Sequence, residues 1–203
     1  NWHRSTGFLG VKHALPALSQ GGHDTVAFRL LTNTTYPSWG YSVVNGATSV
    51  WERWNSYTKE GGIHDPGMNS FSHYAFGSVC EWLFAYMAGI DTDGPGYRRI
   101  LIRPRPGGSG INTAKASYHS IAGLIASEWN IENGQFLLNV TIPANTTATV
   151  YIPAEEAEAV TESGQPAAES EGLTFLRMEG NAAVFEAGSG TYAFISLYSQ
   201  PPA

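Results

Sequence analysis

Glu52 stands between Trp51 and, one residue past Arg53, Trp54, and His73 follows 21 residues later. The connecting stretch, NSYTKEGGIHDPGMNSFS, is polar and Gly-rich, and His73 heads a strongly apolar segment. These residue types suit acid–base chemistry on a carbohydrate. Aromatic faces dock against the C–H faces of a pyranose and exclude water, which holds an intervening carboxylate near the ring and partly desolvated. Desolvation of that kind brings a carboxyl group's proton exchange toward neutral pH. A plainer reading stands beside this one: Trp51 to Trp54 as the end of an amphipathic helix, with Glu52 paired to Arg53 or solvated. Trp51 and Trp54 are read either as sugar contacts or as core, and Trp39 and Tyr36 as further aromatic candidates on an adjacent turn. His73 is read either as a satisfied buried histidine or as a side chain aimed into a site.

The rest of the chain has to position these groups. Its 203 residues are 42% hydrophobic and 14% charged, with 23 Gly and 12% aromatics, a globular balance rich in turns. The net charge of −6 comes with no run of Lys or Arg, so neither nucleic acid nor an anionic membrane surface is expected as a partner. No uninterrupted apolar stretch of about 18 residues occurs, which argues against a membrane span. Cys80, the single cysteine, cannot form an internal disulfide and is expected as a small buried hydrophobe. No metal or cofactor site is expected. The opening Asn1-Trp2-His3 carries no Met and no helix start, and the chain is read as a piece of something longer.

Helical spacing runs from Leu9 to Ser19 and stops at Gly21-Gly22. A second short amphipathic run covers Asp24 to Leu31, and a third helix is expected from Pro37, as first helical residue, to Val44, before the turn signal Asn45-Gly46. Ser70 to Ile90 is apolar nearly all round and reads as a buried helix. Short helices with Gly-rich connections, one of them buried, suit part of an α/α barrel. Asp91 to Gly96 reads as a turn-forming linker, beyond which helical periodicity disappears. Eight strand-like runs follow, at 100–102, 114–118, 123–129, 135–142, 148–152, 173–176, 182–186 and 191–196, and indicate an antiparallel β-sandwich. Glu155 to Glu171 reads as an acidic surface excursion.

The string TYPSWGYSVVNGATSVWERWNSY (Thr35 to Tyr57), followed by DPGMNSFSHYAFGSVCEWLFAYMAGI (Asp65 to Ile90), resembles the C-terminal part of bacterial and fungal α-L-rhamnosidases of glycoside hydrolase family 78. STGFLG (Ser5 to Gly10) and RRILIRPRP (Arg98 to Pro106) are similar to that family too, so the likeness covers roughly residues 3 to 106. It implies an α + β multidomain fold: residues 1–92 as the last helices of an (α/α)6-barrel catalytic domain, residues 93–203 as a jelly-roll-like β-sandwich. It also implies inverting hydrolysis of terminal α-L-rhamnosides, by a general acid and a general base that activates water. On this resemblance Glu52 takes the position of the general base and His73 that of a histidine beside the sugar, with Trp51, Trp54 and Trp39 as substrate contacts. Ser72 departs from the Asn that family members more often carry before the histidine. The acidic motif carrying the general acid lies upstream in the family and nothing here resembles it, so the missing N-terminal part of the same enzyme is implied as a partner and the fragment alone is expected to be inactive.

Two other readings differ in class. Aromatic-rich loops and an eight-stranded sandwich also describe a carbohydrate-binding module without catalysis, which has no need of Glu52 between two Trp residues. A purely structural remnant would leave the apolar run from Phe71 to Ile90 in want of a partner surface.

Overall fold

The structure, a computed structural model, describes residues 3, 6–108 and 110–199. The chain divides into two compact units: one runs through Trp82 and takes in Gly107, the other comprises Leu83–Pro106 and resumes at Gly110.

Three helices open the first unit: α1 (Phe8–Gln20), α2 (Asp24–Thr32) and α3 (Trp39–Val44). In α1 the buried residues are Val11, Leu15 and Ser19, four apart and therefore on one face. The helix gives way at Gly21 and Gly22, where the positive φ of Gly22 (77°) is open to a residue without a Cβ. Buried Ala27 and Phe28 face inward from α2. Ser38 caps α3, its Oγ accepting from the Tyr41 N–H at 2.9 Å. A two-stranded hairpin, β1 (Tyr57–Thr58) with β2 (Gly62–Ile63), and a 3-10 turn at Ala75–Ser78 lead into α4 (Val79–Trp82). Trp82 closes the core of this unit. Its Nε1–H donates to Ser19 Oγ at 2.9 Å and its ring meets Phe28 edge-on at 5.1 Å, so the one polar atom of a fully buried indole is satisfied. Gly107 lies against the same Phe28 ring, where a Cβ would come within 2.3 Å.

The second unit begins with a π-helical turn, Leu83–Met87, closed by the Ala88 N–H donating to Leu83 O at 2.9 Å. Two sheets follow. The five-stranded sheet has the order β11 (Leu173–Met178), β12 (Ala182–Ala187), β8 (Thr147–Pro153), β4 (Arg99–Ile102), β3 (Ile90–Thr92). The six-stranded sheet has the order β10 (Gln165–Pro166), β9 (Thr161–Glu162), β13 (Gly190–Leu197), β7 (Gln135–Ile142), β6 (Gly123–Glu132), β5 (Thr113–Ser120). Alternate residues of both sheets enter one core: Ile100, Ile102, Val150, Ile152 and Phe185 from the first, Ile125, Trp129, Phe136, Leu138 and Phe194 from the second. Each such side chain contributes about 2 kcal/mol by leaving water. Two polar groups taken into the interior find backbone partners: Ser127 Oγ donates to Ala88 O and Trp129 Nε1 to Met87 O, both at 2.7 Å.

The three helices and all eight strand-like runs are present, and the structure amends six details. Ser70 to Ile90 is not one helix. The Glu52 N–H donates to Ser70 O and the His73 N–H to Val50 O, both at 2.8 Å, and these commitments to another segment keep residues 70–73 out of a helical ladder. Beyond them come three short turns of different pitch, and Cys80, Glu81 and Phe84 are exposed, so the cysteine is not the buried hydrophobe expected. Pro37 precedes α3 rather than opening it, because Ser38 supplies the capping oxygen. Asp91 and Thr92 belong to a strand, paired with Leu101 and Ile100. The β4–β8 pairing is parallel among otherwise antiparallel ladders. Finally, the acidic stretch 155–171 is more than surface, since it sends fully buried Val160 and Ala167 into the core and pairs β9 with β13.

Candidate active site

Two segments of the first unit carry the candidate residues, and they lie side by side. Besides the bonds from Glu52 to Ser70 and from His73 to Val50, Ser49 Oγ donates to Phe71 O. Residues 49–52 and 70–73 are thus tied at three points, and Glu52 and His73, far apart in sequence, share one frame.

Within that frame the Glu52 side chain folds back on its partner segment. Its Oε2 accepts from the Ser70 N–H at 2.7 Å, a charge-assisted bond. Among the described residues Oε1 has no partner and Glu52 forms no ion pair. The alternative pairing with Arg53 is not adopted: the Arg53 guanidinium instead donates from Nη1 to His64 Nδ1 at 3.3 Å. Asn69 pins the loop between, its Nδ2 donating to Ser56 O (3.0 Å) and His64 O (3.2 Å), which leaves its Oδ1 buried without a partner among the described residues.

The two tryptophans beside Glu52 go to different places. Trp51 is 6% exposed, packs edge-on against Tyr57 (6.4 Å) and Phe71 (5.7 Å), and lines with them and Asn45–Ser49 a cavity of about 430 Å3. Trp54, half-buried, stacks on Phe76 at 3.8 Å and 11° and meets Trp39 edge-on at 5.4 Å. Trp39 in turn donates Nε1–H to Phe76 O at 2.9 Å. From Phe76 the aromatic row continues to Phe8 (5.6 Å), from Phe8 to His73 (4.8 Å, stacked) and from His73 to Tyr74 (5.3 Å, stacked). Trp39, Trp54 and His73 therefore lie along one continuous wall, and Trp51 belongs to another. Tyr36 is apart from both, edge-on to Tyr41 beside a 320 Å3 cavity that Lys59 and Glu60 also line. Burial, and then the Glu60 charge, push the Tyr41 phenol above its ordinary value.

Sequence reasoning missed Ser70, which anchors Glu52, and Phe8 and Phe76, which join Trp54 to His73. Ser70 acts through its backbone, which a side-chain motif does not display. Phe8 and Phe76 had a signal, since both stand inside the strings STGFLG and NSFSHYAFG. No group of three or more His, Cys, Asp or Glu able to hold a metal occurs among the described residues.

Residues 1–87 match a family model described as the bacterial alpha-L-rhamnosidase 6 hairpin glycosidase domain, and residues 89–167 match the bacterial alpha-L-rhamnosidase C-terminal domain. An alpha-L-rhamnosidase of Streptomyces avermitilis is 46% identical over 194 residues, 96% of this chain and 18% of that protein. One from Formosa agariphila is 38% identical over 197 residues, 97% of this chain and 21% of that protein. The crystal structure of the S. avermitilis alpha-L-rhamnosidase complexed with L-rhamnose is similar with a TM-score of 0.87 over 96% of this chain and 18% of that one. The structure of the alpha-L-rhamnosidase from Dictyoglumus thermophilum is 31% identical, with a TM-score of 0.83 over 97% of this chain and 21% of that one. The chain spans about a fifth of the length of these relatives.

Proposed function

The chain belongs to the bacterial α-L-rhamnosidase family, and from that premise we propose that it forms the C-terminal part of an inverting glycoside hydrolase that removes terminal, non-reducing α-L-rhamnose from glycosides. In this reading the first unit supplies the last helices of an (α/α)6 barrel and the second a jelly-roll-like sandwich. The proposed division, expected at 92/93, falls in this reading between Trp82, where the first unit ends, and Ile90, whose strand belongs to the second.

Glu52 is the general base. The observation that carries this role is its asymmetric anchorage: Oε2 is held by the Ser70 N–H at 2.7 Å while Oε1 has no partner among the described residues. A carboxylate fixed by one oxygen keeps the other oriented and free to take a proton from water. Inversion requires that water to attack the anomeric carbon on the face opposite the leaving oxygen, with base and acid carboxyls roughly 6.5–9.5 Å apart. The acid belongs to a part of the enzyme outside this chain. His73, on the same two-segment frame, contacts the sugar. Trp54 and Trp39 present ring surface on the wall that leads to it, and Trp51, packed against Tyr57 and Phe71, contributes the edge of its cavity to substrate.

The stereochemical outcome tests the reading. Proton NMR of an aryl α-L-rhamnoside during its first turnovers by the full-length protein should show the β-anomer of L-rhamnose appearing first, with the α-anomer arising later by mutarotation. Initial release of the α-anomer would contradict an inverting mechanism and, with it, the assignment of Glu52 as a base acting on water.

A further inference from the structure

His73 has two ring neighbours. Phe8 stacks on it at 4.8 Å and 26°, Tyr74 at 5.3 Å and 10°, and among the described residues Phe8 and Tyr74 make no ring contact with each other. The imidazole therefore stacks on two rings, and turning about its bond to Cβ would lose both contacts. Its edge is fixed as well: the Ala75 N–H donates to Nδ1 at 3.3 Å, and the His73 backbone N–H is tied to Val50 O at 2.8 Å. In a neutral imidazole, a nitrogen that accepts a hydrogen bond does not carry the proton, so the proton sits on the other nitrogen. Nε2 has no partner among the described residues.

We propose that Phe8 and Tyr74 are positioning residues that clamp His73 as a fixed Nε2–H donor, aimed at a hydroxyl oxygen of the bound sugar. The inference deepens the role given to His73 above and rests on that reading for the identity of the acceptor. The tautomer and the clamp are properties of this chain's own residues. The clamp assigns His73 to recognition through a donated hydrogen bond and takes it out of the proton transfers of the reaction, which remain with Glu52 and the general acid. The ring of Tyr74 matters here and its hydroxyl does not.

Two measurements test this separately from the role of Glu52. Long-range nitrogen–proton NMR correlation on the histidine rings of the 203-residue chain should show neutral His73 as a single tautomer with the proton on Nε2. A proton on Nδ1 would overturn the proposal. In the full-length protein, Tyr74→Phe should leave KM and kcat within about twofold of the unaltered enzyme. Tyr74→Ala and Phe8→Ala should each raise KM by about 5- to 10-fold, the loss of one neutral hydrogen bond, with kcat changed less. Tyr74→Phe keeps the ring and rescues the clamp, which separates loss of the clamp from loss of the hydroxyl. An unchanged KM in Tyr74→Ala, or a Tyr74→Phe defect equal to that of Tyr74→Ala, would overturn the proposal. Neither result depends on Glu52, whose own variants report on kcat.

Discussion

Glu52 is held at one oxygen by a backbone N–H and left free at the other, while the neighbouring arginine turns to His64. The contrast with Glu179 in the second unit shows what a carboxylate looks like when its work is structural. Glu179 Oε2 accepts from Arg177 Nη2 at 2.6 Å and from the Tyr151 hydroxyl at 3.3 Å, its Oε1 accepts from Arg103 Nη2 at 3.2 Å, and Arg103 lies over the Tyr151 ring at 4.2 Å. The Arg177 hydrogen bond, together with the charges of Arg103 and Arg177, holds the Glu179 carboxyl below its ordinary range. A lowered folded value means that the network contributes stability at pH values above the unfolded carboxyl value of about 4.3, and loses it as pH falls through the lowered one. Glu179→Gln should therefore lower Tm by about 1–3 °C at pH 7, a modest amount for a half-exposed network. The gap should close as the pH is taken below about 4.3, and a gap that widens in acid would contradict the assignment. At this scale the sequence singled out Glu52 and His73 as candidates because Trp-Glu-Arg-Trp and Asn-Ser-Phe-Ser-His are dense local strings. It did not separate Trp51 from Trp54, since spacing of three residues says nothing about which wall a ring joins once the segment bends and turns instead of forming a helix.

The frame joining residues 49–52 to residues 70–73 is built from backbone bonds, and backbone pairing across a loop is the link that local pattern cannot supply. That is why Ser70 to Ile90, apolar enough for a buried helix, breaks at its start. The strands were legible because period-2 runs such as Gln135–Ile142 bury alternate residues, Phe136, Leu138, Val140 and Ile142. Ile90–Thr92 was not, since Asp91 and Thr92 carry turn chemistry and are held in extended form by Leu101 and Ile100 opposite. The same corner turns on Gly89. Its φ is +80°, and a Cβ there would lie 2.1 Å from Pro104 N and 2.5 Å from the Arg103 carbonyl carbon. Backbone cannot yield as a flexible side chain can, so Gly89→Ala combines a left-handed conformation with a main-chain clash. It should cost more than about 2 kcal/mol, read as a lowered denaturant midpoint. Trp82→Ala, which empties a fully buried site and removes the hydrogen bond to Ser19 Oγ, should cost about 3 to 5 kcal/mol by the same measurement. A midpoint within error of the unaltered chain in either variant would contradict the packing described.

Over the whole molecule, the chain spans about a fifth of the relatives it matches, and the proposed chemistry divides accordingly. In the proposed reading the described residues supply the base, a histidine for the sugar and an aromatic wall, and the reaction also needs an acid on the leaving oxygen. A correctly placed acid or base contributes about 10² to 10⁴-fold, so the 203-residue chain alone should show no appreciable hydrolysis of an aryl α-L-rhamnoside. Robust turnover by the purified chain would place both groups within it. The division of labour makes one substitution decisive. Glu52→Gln in the full-length protein keeps the size of the side chain and the bond from Ser70 but removes the basic oxygen. The kcat for an aryl α-L-rhamnoside should fall by about 10² to 10⁴-fold with KM within about threefold, and azide, which needs no deprotonation, should partly restore turnover in Glu52→Ala. A Glu52→Gln enzyme with near-normal kcat would show that the base lies elsewhere and that the bond between Glu52 and Ser70 serves only to hold two segments together.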